Sequence, residues 1–193
     1  AELVRYLGPR TPDQRVIAMP GTGTNVPIWL LGSSLFSAQL AGERGLPYAF
    51  ASHFAPRFMH EAIRVYRNHF KPSAVLDKPY VMLGVPLVAA DTDEQADYLA
   101  TSVFQRILAL MRGQSLVQRQ PVKTMDGLWL PHEKEEVSDF LGLAMIGSPQ
   151  KIRAKLDVLI EQTHADELIF TCHLYEHADR LHSYELLAQV MKG

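Results

Sequence analysis

Gly32-Ser33-Ser34, with Ser37 a helical turn further on, is the stretch of this chain whose residue types and spacing could hold an oxyanion. The apolar run Ile28-Trp29-Leu30-Leu31 stops there, and helix formers follow to Arg44, ahead of Gly45. A helix starting at such a point presents N–H groups without intrahelical acceptors and about half a positive charge. Small hydroxyl side chains add donors without blocking a bound phosphate, and glycine permits close backbone approach. The same serines have a plainer use, because Ser is among the commonest helix caps. Both readings stand on local chemistry alone. Gly21-Thr22-Gly23 precedes a strand instead of following one, and neither GxxxxGK followed by Ser or Thr nor GxGxxG occurs.

A second group of candidates lies where other apolar stretches end. Ser52 and His53 close LPYAFASHF, and His173 closes DELIFTCH. A histidine at such a place can donate a hydrogen bond to a ligand or move a proton near neutral pH, or it can simply form part of a wall. His173 and His177 have a spacing that invites a metal, but a strand-to-helix break separates them and no matching carboxylate accompanies them, so no metal site is expected. His60, His69, His164 and His182 fall in or at the ends of predicted helices and read as surface or packing groups. The single cysteine, Cys172, excludes an internal disulfide and a zinc site of paired cysteines, and a strand cysteine reads as a small buried hydrophobe.

The elements that must position these residues follow from periodicity. ELVRYL reads as a short helix, and the Gly-, Pro- and Thr-rich stretch after it as a connector. Strands are expected over 28–31, 46–54, 79–89 and 166–173, with helices from Ser37 to Arg44, over 58–70, from Thr92 through Met111, from Ser148-Pro149 to about His164, and over 177–192. From Arg112 to Met145 the periodicity fades, and this is read as an excursion or lid within one domain, 1–193. Trp129 is its expected anchor, to the body of the domain or to another chain, and Glu133-Lys134-Glu135-Glu136 its solvated face. Near-continuous apolar strands, each followed by a helix, imply an α/β fold with a parallel sheet. In such sheets ligands gather where strands end and helices begin, which puts Gly32-Ser33-Ser34, Ser52-His53, Ala89-Ala90-Asp91 and Thr171-Cys172-His173 on one face.

Bulk properties narrow the function classes. With 19 Lys plus Arg against 21 Asp plus Glu, the formal charge is -2, without the basic stripe that a nucleic-acid partner requires. No apolar run approaches the roughly 20 residues that cross a bilayer, and AELVRYLGPR lacks the core of a signal peptide, so a cytoplasmic protein with no membrane partner is expected.

VPIWLLGSSLFSAQLAGERGLPYAFASHFAP, YVMLGVPLVAADTDEQA, IGSPQKIRAKLDVL and DELIFTCHLYEHADRLHSYELLAQVM closely resemble, in order, the bacterial luciferase-like flavin-dependent monooxygenases, in their alkanal-monooxygenase-like branch. The resemblance implies parallel (β/α) units of a TIM-type barrel and a flavin at the carboxyl ends of its strands. It places the flavin phosphate on Gly32, Ser33, Ser34 and Ser37, and puts Ser52, His53 and His173 in the pocket wall. It implies reduced FMN as cosubstrate, ahead of a deazaflavin, a separate flavin reductase, and O2 as oxidant of a small aldehyde-like molecule. A whole barrel of this type needs about 250 residues, and the first strand here resembles the family's fifth. The expectation is therefore the C-terminal half of a (β/α)8 barrel, completed by a missing N-terminal half or by association of copies, because an uncovered sheet exposes apolar surface. The alternative is a flavin-binding protein or associating half-barrel without turnover.

Overall fold

The computed structural model describes residues 2–54 and 56–192. After α1 (Glu2–Leu7) and the connector, the order is β1 (Leu30–Gly32), α2 (Leu35–Arg44), β2 (Tyr48–Phe50), α3 (Met59–His69), β3 (Val81–Ala89), α4 (Asp93–Met111), α5 (Pro131–Phe140), β4 (Met145–Gly147), α6 (Pro149–Thr163), β5 (Glu167–Thr171) and α7 (His177–Val190). A single 3-10 turn, Pro56–Phe58, leads into α3. All strand pairs are parallel: β1 with β2, β2 with β3, and β3 with both β4 and β5.

The helix ends explain the boundaries. Thr92 caps α4 by accepting from the Gln95 amide, and Gly45 ends α2 in the left-handed conformation. Pro149 opens α6, where the Ser148 amide donates to the Asp93 carboxylate on α4 and so ties two helix starts together.

β3 is the axis of the sheet. Its apolar sequence VMLGVPLVA suits a strand covered on both faces. Pro86, which has no N–H to give, stands where the partner changes from β5, through Pro86↔Thr171, to β4, from Leu87↔Met145. One face of the sheet, carrying Tyr48, Phe50, Val81, Leu83 and Val85, is buried under α2, α3, α6 and α7. The other face carries Leu31, Ala49, Met82, Gly84 and Ile169 in register. Leu31 is 67% and Ile169 52% exposed there, so this face lacks a covering layer over part of its width. A second cluster joins α4, α5, Val88, Cys172 and Leu174 at the carboxyl ends of the strands.

Two features depart from the sequence-based expectation. The sheet has a fifth strand, the three-residue β4, too short to show a period. The stretch read as an excursion contains a ten-residue helix, α5, whose polar sequence PHEKEEVSDF buries only Glu133 and Val137. Glu133 is not part of a solvated face: its carboxylate accepts from Arg112 Nε and Nη2, each at 2.7 Å, and from the Leu130 amide at 2.7 Å.

Candidate functional site

All strand carboxyl ends lie on one edge, so Gly32, Ser52-His53, Asp91 and Cys172-His173 emerge on the same side of the sheet. Two separate places form there.

The first is the turn from β1 into α2. Gly32 accepts from the Ala51 amide at 3.0 Å, locking the end of β1 to the chain leaving β2. Ser34 is the N-cap of α2, and its Oγ accepts from the Ser37 amide at 3.2 Å. Ser37 Oγ donates to the Ser34 carbonyl at 2.8 Å and lies 3.3 Å from the hydroxyl of buried Tyr48. A Cβ at position 32 would collide with the Ser37 side chain, so glycine there is what allows Ser37 to fold back over the turn. Ser34 and Ser37 thus build the turn. Half-buried Ser33 makes no hydrogen bond among the described residues, and Leu35 and Phe36 open the helix with amides that have no intrahelical acceptor. This arrangement can accept an oxyanion at the helix start.

The second place is a cavity of about 320 Å³ between the sheet, α4 and α5, with His53, Pro86, Thr171 and His173 on the sheet side and Val103, Arg106, Ile107, Leu110, Phe140 and Leu141 on the helical side. His53 lies across Gly84, with Nδ1 2.8 Å from where a Gly84 Cβ would stand, so glycine makes room for the ring. His53 Nδ1 and Thr171 Oγ1 are buried without a hydrogen-bond partner. Unpaired buried polar atoms are costly in an apolar wall and mark where a polar ligand atom is useful. His173 stands at the rim, and its carbonyl accepts from the Gln118 side-chain amide. Burial first, then the positive charges of Arg106 and Arg180, holds its imidazole below the ordinary histidine range, so it favours the neutral form.

Of the residues singled out from sequence, Gly32, Ser33, Ser34 and Ser37 converge on the first place, and His53 and His173 on the second. Ser52 does neither: it is buried, and its Oγ donates to the Gly84 carbonyl, fixing the turn that carries His53. Sequence reasoning placed Thr171 on the ligand face without giving it a role, and missed Arg106. Arg106 had a signal, since it interrupts the apolar stripe Val103, Ile107, Leu110 of α4.

The stretch 112–130 is strapped along α4. Gln105 Nε2 donates to the Gln120 carbonyl at 2.9 Å, the Val122 amide donates to Thr101 Oγ1 at 2.8 Å, and Trp129 stacks on Phe104 with ring centroids 5.9 Å apart. Arg112 and Glu133 close the strap. Arg112 and then the Leu130 amide lower the Glu133 carboxyl to about 2. A depressed carboxyl contributes stability that is full above its unfolded value of about 4.3 and lost as pH falls through the folded one. The urea midpoint gap between wild type and Glu133→Gln should therefore be widest above pH 5 and shrink toward pH 2; a gap independent of pH would contradict the ion pair.

The sequence pattern of the family described as "Luciferase-like monooxygenase" matches residues 2–167. The chain belongs to the luciferase-like monooxygenase family. It is 49% identical to the uncharacterised Bacillus subtilis (strain 168) protein YvbT over 193 residues, covering 100% of this chain and 57% of that protein. The chain thus spans little more than half the length of that relative. Among solved structures it is similar to apo-MsnO8, at 28% identity and a TM-score of 0.78, covering 99% of this chain and 58% of that one. The oxygenating constituent of 3,6-diketocamphane monooxygenase from Pseudomonas putida, solved in complex with FMN, shares the fold at 19% identity and a TM-score of 0.55, over 88% of this chain and 48% of that one. This luciferase-like chain is accordingly a run of parallel (β/α) units of the TIM-barrel type, about half the size of its relatives. No helix among its described residues is long and apolar enough to cross a membrane.

Proposed function

We propose that the chain is the C-terminal portion of a flavin-dependent monooxygenase that uses reduced FMN and O2 to oxidise a small organic, aldehyde-like substrate. The observation that carries this reading is the pairing, on one edge of the sheet, of an anion-accepting helix start with an apolar cavity holding two unpaired polar atoms. The solved fold neighbour in complex with FMN supports a flavin cofactor, and another fold neighbour is a coenzyme F420-dependent reductase, so the preference for FMN ahead of a deazaflavin is part of the proposal. FMN fits the residues present: the open amides of Leu35 and Phe36 and the Ser33 hydroxyl suit its phosphate, while Gly32, Ser34 and Ser37 hold the turn in shape. When bound, reduced FMN supplies the electrons that activate O2. The chain's own residues bind, orient and exclude water. Thr171 and His53 offer hydrogen bonds in the cavity, neutral His173 is placed to hold or release a proton at its rim, and the stretch 112–145 would cover the cavity through Leu116, Phe140 and Leu141.

A separate reductase would regenerate the flavin in the cytoplasm, and the N-terminal half of the barrel, or a second copy, would cover Leu31 and Ile169. The exposure of those two side chains also favours a second reading, an associating half-barrel that holds flavin without turnover. Equilibrium dialysis against FMN, followed by O2 consumption with chemically reduced FMN and decanal, separates the two. Aldehyde-dependent product formation supports the monooxygenase, FMN binding without product supports the second reading, and no FMN binding contradicts both.

A further inference from the structure

We infer that the cavity between α4 and the sheet selects an organic anion, seating an apolar body against Val103, Ile107, Leu110 and Phe140 and a carboxylate on Arg106. Among the described residues of the lining, Arg106 is the one permanently charged side chain, and none is an aspartate or glutamate. Its Nη1 donates to the Leu116 carbonyl at 3.0 Å, and among the described residues no carboxylate is paired with it. The neighbouring groove carries two acids, of which Asp139 is held by Arg57 at 2.7 Å and Glu136 lines the groove without being paired to Arg106. Arg106 is half-buried, so its guanidinium stands between the apolar wall and solvent without a counterion, and a ligand carboxylate is the group whose planar geometry answers its fork. The permanent charges bearing on His173 are positive as well, from Arg106 and Arg180, so this rim favours a negative head. At about 320 Å³ the space is at the lower end for small-molecule sites and suits one medium-length chain or a single ring.

The binding preference stands on the cavity; only its bearing on the choice of substrate rests on the monooxygenase reading. The test is calorimetric titration of the 193-residue chain with octanoate and with 1-octanol at low salt, with FMN binding measured on the same preparation. Octanoate should bind about tenfold or more tightly than octanol. In Arg106→Gln it should fall to the level of octanol, while Arg106→Lys keeps part of the advantage. Equal affinities in the wild type, or an advantage that survives in Arg106→Gln, would overturn the inference; the wild-type comparison decides it even if the variant does not fold. FMN binding without octanoate preference overturns this inference alone, and octanoate preference without FMN binding overturns the flavin reading alone.

Discussion

Tyr66→Ala should lower the stability of the fold by about 4 kcal/mol. The side chain is fully buried in α3, its ring 5.3 Å from that of Tyr48 and 5.8 Å from that of Phe70. Its hydroxyl donates to the Leu46 carbonyl at 3.0 Å and accepts from the Tyr80 amide at 3.0 Å. One oxygen thus joins the chain entering β2 to the chain entering β3, two places where backbone groups lack a ladder partner. Tyr66→Phe separates the two contributions: it keeps the ring and leaves one carbonyl and one amide unpaired, at a cost of about 2 kcal/mol. Urea unfolding followed by far-UV circular dichroism measures both, with an unchanged slope as the sign that only stability moved. A Tyr66→Phe variant as stable as the wild type would show that the bridge contributes nothing.

Gly42→Ala is the second large effect, and its sign opposes helix propensity. In an exposed helix the change would stabilise by about 1 kcal/mol. Here a Cβ would stand 2.7 Å from the Tyr66 carbonyl oxygen, 3.0 Å from the His69 carbonyl carbon and 3.1 Å from the Phe70 nitrogen. All three atoms are backbone, so no side chain can swing aside, and α2 would have to move off α3. Gly42 also accepts from the Lys71 amide at 2.9 Å, a bond that movement would break. Overpacking of this kind costs about 1–3 kcal/mol, and the expected net result is a lower thermal midpoint. A higher midpoint would mean that the two helices slide freely past each other.

Much of this architecture is legible in the residues. The apolar run at Val81–Ala89, the cap at Thr92 and the Ser148-Pro149 start each correspond to an element boundary in the structure, because each is a local rule with a local cause. The turn from β1 into α2 is legible for the same reason, since strand end, glycine and serine cap are adjacent in sequence. β4 and α5 are not, because three residues show no period and α5 is held by the distant partner Arg112. The cavity is harder still. Thr171 reads as one more residue at a strand end until its hydroxyl is seen to lack a partner, and Arg106 as one more helix charge until it is seen to line the same cavity. Ser52 has the right position in sequence, but the Gly84 carbonyl across the sheet captures its hydroxyl.

The central claim is that the turn from β1 into α2 seats the phosphate of a flavin. The most direct test is equilibrium binding of FMN beside riboflavin, for the wild type and for Ser33→Ala/Ser34→Ala. Charge-assisted hydrogen bonds to the phosphate predict that the wild type binds FMN at least about tenfold more tightly than riboflavin, and that the double variant loses most of this difference. Equal affinity for the two flavins in the wild type, or a preference untouched in the variant, would contradict the assignment of the phosphate to this turn.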